Sequence, residues 1–187
     1  MKTLIFCNAS KRIGLGHFSR SKKILEKLKN KNTDITLVVR GEIKNFMFQD
    51  DNDIEVLSEN YTFLNYISKK KKIDLVIFDL NESYLENNFK QVLQKLKENA
   101  IRIVAIDGLI KFEKFLDLIF MPSFRSDDSK NIKYSKLIYG WNCFLIDEKI
   151  KKKKNPPVGK NILVLTGGSD TTNLSEKWPQ LLNAKIN

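Results

Sequence analysis

The sequence predicts an α/β fold built on a doubly wound parallel sheet, and two observations carry that prediction. Short apolar runs alternate along the chain with longer amphipathic stretches. The runs are apolar almost throughout, with no apolar–polar alternation, which is how strands read when both faces of their sheet are covered. Strands separated by helices are joined by right-handed crossovers, and crossovers to both sides of the first strand give a Rossmann-like domain.

Each element has its own signature. Residues 3–7 (TLIFC) are the first strand. From residue 16 to about 29, Phe18, Ile24, Leu25 and Leu28 form an apolar stripe among lysines at helical spacing. Residues 35–39 (ITLVV) are the second strand, 42–48 a short helix, 54–57 a third strand, and a helix begins over 61–67. Residues 74–78 (DLVIF) form a strong strand and 84–97 a strong helix, followed by strands at 102–106 (RIVAI) and 118–121. The segment 149–160 is charged, holds Pro156 and Pro157 and ends beside Gly159; paired prolines stay extended, so it reads as a linker between domains. Residues 1–148 then form the first domain. Residues 161–187 hold one strand (161–165), a glycine turn and a helix over 173–182. That is the incomplete start of a second Rossmann-like, nucleotide-binding domain, since about 27 residues fall well short of a domain of roughly 100.

Composition narrows the function classes. The chain has 187 residues, 42% hydrophobic and 10% aromatic, enough for a core. The net charge is +11, but lysine supplies 28 of the 33 basic residues, partly in runs at 69–72 and 151–154. A nucleic-acid surface would show clustered arginine and aromatic residues instead, so the charge is read as a solvated lysine surface with no specific nucleic-acid partner. Cys7 and Cys143 follow no metal or redox spacing, and no metal or cofactor is expected. The N-terminal apolar stretch is too short for a secretory signal, and no run approaches the ~20 apolar residues of a membrane span. A cytoplasmic protein without a membrane span is expected.

Ligands of such sheets lie beyond the carboxyl ends of the strands. After the first strand the chain reads NASKRIGLGHFSR. Gly14 and Gly16 suit tight positive-φ turns and the close approach of a ligand, and the helix starting near Gly16 points free N–H groups outward. His17, the sole histidine, stands at that helix start. An imidazole titrates near pH 6.5 and makes a base at neutral pH; the plainer role is a cap or a packed side chain. Asp79 and Asp107 follow the fourth and fifth strands and face the same crevice; each either orients His17 or serves a turn or helix cap. Gly167, Gly168, Ser169 and Asp170 have the composition of a phosphate cradle and equally of an ordinary turn. The dinucleotide fingerprint is incomplete, with Ser19 where a third glycine belongs, and no Walker sequence occurs.

Taken in order, the segments RIGLGHFSR (12–20), IFD ending at Asp79, IDG at Asp107, GWNCFLIDEKI (140–150) and LTGGSDTTN (165–173) resemble the UDP-sugar hydrolases of pseudaminic acid biosynthesis, relatives of the MurG-like GT-B glycosyltransferases. The resemblance spans essentially the whole chain, and its most specific piece is G-x-G-H-x-x-R at Gly14, Gly16, His17 and Arg20. It implies the N-terminal half of a two-domain GT-B enzyme with its site in the interdomain cleft. It further implies metal-free hydrolysis of UDP-2,4-diacetamido-2,4,6-trideoxy-β-L-altropyranose to UDP and the free sugar. His17 would be the general base on water. Gly14, Gly16 and Arg20 would shape the sugar side, with Asp79 and Asp107 beside them, and Gly167, Gly168, Ser169, Asp170 and Asn173 would approach the diphosphate from the second domain. The chain departs from the family where Leu80 and Asn81 follow Asp79, and where Asp107 is followed by Gly108 instead of a second acid. A GT-B-type glycosyl transfer or a non-catalytic sugar-nucleotide-binding fragment is the alternative; the chain is expected to be a fragment or a truncated or split gene product, or to take the missing C-terminal half from a second chain.

Overall fold

The computed structural model describes residues 1–29, 31, 34–41, 52–70, 72–122, 136–140, 143, 145, 176–178 and 180. The described strands are β1 (Lys2–Asn8), β2 (Asp34–Arg40), β3 (Ile54–Leu57), β4 (Leu75–Asp79), β5 (Arg102–Ile106), β6 (Leu118–Met121) and β7 (Leu137–Tyr139). They form one sheet in the order β3-β2-β1-β4-β5-β6-β7, parallel throughout. The helices are α1 (Gly16–Lys29), α2 (Phe63–Lys69) and α3 (Phe89–Glu98). Two short 3-10 turns, Glu82–Tyr84 and Ile110–Phe115, follow β4 and β5. The predicted doubly wound, Rossmann-like parallel sheet is therefore present.

The uniformly apolar strands follow from the two covered faces. In β1, Leu4 and Phe6 join Phe63, Phe78, Phe89 and Val92 on the α2–α3 face. Ile5 and Cys7 join Phe18, Leu25, Leu37 and Val39 on the α1 face. Phe6 lies at the centre of the larger cluster, 4.7 Å from the ring of Phe63 and 5.5 Å from that of Phe78. Each such fully buried side chain stabilises the fold by roughly 1.5–3 kcal/mol of transfer free energy. The burial burial of alternate residues of one strand in opposite clusters is why no polar period survives in the sequence.

The chain leaves β1 in one direction across the sheet and returns through β4 in the other, so β1 and β4 lie side by side where the winding reverses. At that switch point the loops beyond the two strands diverge and open a crevice. The loop after β1 and the end of β4 are the segments that carry His17 and Asp79.

Differences from the sequence expectations have local causes. The expected helix over 84–97 starts only at Phe89. Asn81 caps a 3-10 turn by accepting the Ser83 N–H, and Glu86 is tied to Phe63 and Arg40, which draws residue 85 into extended backbone. The helix expected over 61–67 runs Phe63–Lys69, because the Thr62 hydroxyl accepts the Asn65 N–H as its N-cap. β7 had no sequence signal: at three residues it is too short to show a period. The expected short helix at 42–48, the linker at 149–160 and the strand at 161–165 lie outside the described residues; of the helix expected over 173–182, residues 176–178 and 180 are described and helical.

Candidate active site

The loop after β1 is built by Ser10. Its carbonyl accepts the Gly14 N–H at 2.8 Å and its hydroxyl accepts the Ile13 N–H at 3.2 Å. This turn requires φ +88° at Gly14, a conformation that a side chain strongly disfavours. Gly16 differs from expectation: it is the first residue of α1 and has no positive φ, and a Cβ placed on it would meet nothing within 4 Å. Gly14 is buried in the loop, whereas Gly16 is exposed.

α1 then presents His17, Arg20 and Ser21 to the end of β4. Asp79 is the last residue of β4 and pairs in register with Cys7, so it faces α1. Its side chain is 0% exposed. One carboxylate oxygen, Oδ1, accepts from His17 Nδ1 at 2.6 Å and from Arg20 Nη2 at 2.6 Å. The other, Oδ2, accepts from Arg20 Nε at 2.8 Å and from the Ser21 hydroxyl at 3.2 Å. Four donors thus fill the four lone-pair positions of a carboxylate. Arg20 also donates from Nη1 to Asp107 Oδ2 at 2.9 Å. Asp107 reaches this position at φ +59°, a left-handed conformation that aspartate tolerates better than most residues.

These contacts set the protonation states. Burial alone would raise the Asp79 pKa, but hydrogen bonds and charge from Arg20 and His17 outweigh it and hold the carboxyl below its ordinary value. Burial likewise works against the Arg20 charge, and Asp79 and Asp107 more than offset it, so the guanidinium is held above its usual pKa. Because an ionised carboxylate can only accept, His17 Nδ1 must carry the proton that it shares with Asp79. The neutral imidazole then has its lone pair on Nε2. Arg20 Nη2 lies 3.3 Å from His17 Nδ1, but both atoms are donors in this arrangement, so that approach is a packing contact.

Beside this cluster, a cleft of about 360 Å³ is lined by Gly16, Ser19, Arg20, Lys23, Asp107, Pro122 and Leu145. Gly16, Arg20 and Asp107 were expected there. Asp79 lies beneath the wall, where it positions His17 and Arg20. His17, with its side chain 18% exposed, stands next to Arg20 and not in the lining itself. Ser19, Lys23, Pro122 and Leu145 were missed. Residues 16, 19, 20 and 23 have the i, i+3, i+4, i+7 spacing of one helix face, a signal that could have found the first two. Gly167, Gly168, Ser169, Asp170 and Asn173 lie outside the described residues.

A second polar cluster ties the loop after β4 to β2. Glu86 Oε1 accepts from Arg40 Nη1 at 2.7 Å and from the Phe63 N–H at 2.6 Å, and Arg40 Nη2 donates to the Tyr84 carbonyl at 2.7 Å. Burial raises the Glu86 pKa, and neither the Phe63 N–H nor Arg40 reverses it. Its second oxygen, Oε2, is buried without a partner among the described residues. Among those residues no His, Cys, Asp or Glu group could hold a metal, and no helix is long and apolar enough to cross a membrane.

The sheet and its polar cluster define a Rossmann-like α/β domain with ionisable side chains gathered at the switch point. The sequence matches no protein-family model and no curated protein. Two solved structures are similar to it. One is an alpha-glucosyltransferase in complex with UDP and a 13-mer DNA containing a central A:G mismatch, with TM-score 0.48 and 16% identity over 64% of this chain. The other is an alpha-glucosyltransferase in complex with UDP-glucose and DNA containing an abasic site, with TM-score 0.44 and 19% identity over 64% of this chain. The matched part spans 37% and 35% of those two chains.

Proposed function

We propose that this chain serves the hydrolysis of a UDP-linked sugar, releasing UDP and a free diacetamido-trideoxyhexose of the kind used for pseudaminic-type acids, with His17 as general base. The observation that carries the proposal is the 2.6 Å bond from His17 Nδ1 to a buried, fully saturated Asp79. It fixes one tautomer and leaves Nε2 as a proton acceptor, the arrangement a hydrolytic base requires. In the proposed step, Nε2 takes a proton from water as the water oxygen bonds to the anomeric carbon. The bond from that carbon to the diphosphate breaks, and its electron pair leaves with UDP. Asp79 stabilises the imidazolium formed, a contribution of about 10²–10⁴-fold for a positioned base. Gly16, Arg20 and Asp107 face the sugar, while Gly167, Gly168, Ser169, Asp170 and Asn173 hold the diphosphate.

The test is UDP release from the diacetamido-trideoxy-altrose nucleotide by the chain and by His17→Gln. Release that falls at least 10²-fold in the variant supports the proposal. Release only on addition of an acceptor sugar would replace hydrolysis with glycosyl transfer. Nucleotide-sugar binding without turnover by either protein would reduce the chain to a binding module.

A further inference from the structure

We infer that the cleft beside His17 holds an oxyanion, a phosphate or a carboxylate, through Lys23 and Ser19. Three observations point there. The cleft is large enough, at about 360 Å³, for a phosphate or sugar acid, and Ser19, Arg20 and Lys23 all stand on its wall. Arg20, the obvious anion ligand, already gives three of its five N–H groups to Asp79 and Asp107, and its charge is shared with both. Lys23, one turn further along the same face of α1, is partly buried, lines the cleft and has no hydrogen-bond or ion-pair partner among the described residues.

The ammonium of a lysine on a cleft wall is a strong donor with three N–H groups and no acceptor of its own. Asp107 stands on the same wall, and its carboxylate is paired to Arg20. The Ser19 side chain, four residues before Lys23, projects from the same helix face and supplies a second donor. The oxyanion site itself needs only this geometry. Its identification with the substrate diphosphate, approached here from the first domain, rests on the function proposed above.

The experiment is calorimetric titration of the chain, of Lys23→Met and of Lys23→Arg with inorganic pyrophosphate and, separately, with glucuronate. Methionine keeps the helix propensity and the apolar stem, so Lys23→Met should melt as the parent does. Charge-assisted hydrogen bonds of this type predict that Lys23→Met binds about 10- to 100-fold more weakly, with Lys23→Arg retaining most of the affinity. Loss with pyrophosphate assigns a phosphate, loss with glucuronate a carboxylate, and both support the site. Equal binding by the parent and Lys23→Met, or no binding of either probe by the parent, overturns it. If Lys23→Met loses the anion while the parent neither binds nor cleaves a UDP-sugar, the oxyanion site stands and the nucleotide-sugar function falls.

Discussion

Replacing Asp79 by asparagine probes the cluster at its most connected point. The shape is kept, but one of two oxygens becomes an NH2 group that cannot accept, and the negative charge is lost. Arg20 is a permanent donor at both oxygens and cannot adapt, so at least one of its bonds at 2.6 and 2.8 Å becomes a donor–donor contact. Removing one partner of a buried ion pair destabilises by about 3–5 kcal/mol. Arg20 retains Asp107 and is 20% exposed, which lowers the expectation to about 2–3 kcal/mol. At roughly 2–4 °C per kcal/mol for a chain of this size, thermal melting should fall by about 4–12 °C. The sole histidine gives a second readout, because one imidazole contributes the whole side-chain histidine nitrogen spectrum. In the parent that spectrum should show the proton on Nδ1. Any UDP-releasing activity should drop about 10²–10⁴-fold in the variant as the imidazolium loses its counter-charge. A variant melting within 1 °C of the parent, or a parent ring protonated on Nε2 alone, would refute the assignment; the 1 °C margin is set at about the smallest shift expected from 0.5 kcal/mol.

Further outcomes follow from the same contacts. The depressed Asp79 pKa means that the folded state binds fewer protons than the unfolded one, so its stabilisation is complete above the ordinary carboxylate value of about 3.9 and is lost as pH falls through the lower folded value. The stability gap between the parent and Asp79→Asn, followed by denaturant titration, should narrow in acid. Glu86 has the opposite sign: its raised pKa favours the folded state at low pH, and that contribution is lost as pH rises through the folded value. Glu86→Gln should therefore gain stability relative to the parent between acid and neutral pH; a pH-independent difference would show that burial does not govern this carboxyl. Gly41 lies at φ +138°, where a Cβ would drive into the Ala9 carbonyl oxygen, so Gly41→Ala should destabilise by more than about 1 kcal/mol. Gly16→Ala, with open space around it, should change stability by less than about 1 kcal/mol in the same melting experiment.

The sheet was legible in the sequence because strands covered on both faces leave uninterrupted apolar runs. Their ends were less so. The apolar runs at 3–7, 35–39 and 74–78 stop one residue short of β1, β2 and β4, whose last residues are Asn8, Arg40 and Asp79. Ladder hydrogen bonds do not depend on side-chain polarity, so a polarity change marks the end of a buried run and not the end of a strand. Those polar terminal residues are the ones the fold uses. His17, Asp79 and Asp107 were legible as strand-end or helix-start residues and Arg20 only through the G-x-G-H-x-x-R resemblance, but their mutual distances depend on the order in which the strands associate, and no local pattern encodes that. Lys23 was hidden for a different reason: among lysines on an amphipathic helix, one that faces a cleft looks like one that faces water. The segment around Glu86 read as helix because its long-range ties to Arg40 and Phe63, 46 and 23 residues away, override local propensity.

The burial of Asp79 explains the contacts of Arg20, Asp107 and Ser21 at the switch point. A carboxylate buried at the end of β4 needs a counter-charge, and Arg20 supplies it by a two-point contact. Asp107 then takes the outer N–H of the same guanidinium, and Ser21 fills a further lone pair. These three side chains already make the carboxylate tolerable in the core. The remaining Oδ1 position could be filled by any small neutral donor, and an imidazole brings nothing that a serine or glutamine would not bring to folding. What an imidazole adds is a second nitrogen whose lone pair is available once Nδ1–H is engaged. The His17 side chain is 18% exposed, while the Asp79 carboxylate that orients it is fully buried. A ring held by a buried carboxylate through one nitrogen is the arrangement that the base proposed for His17 requires.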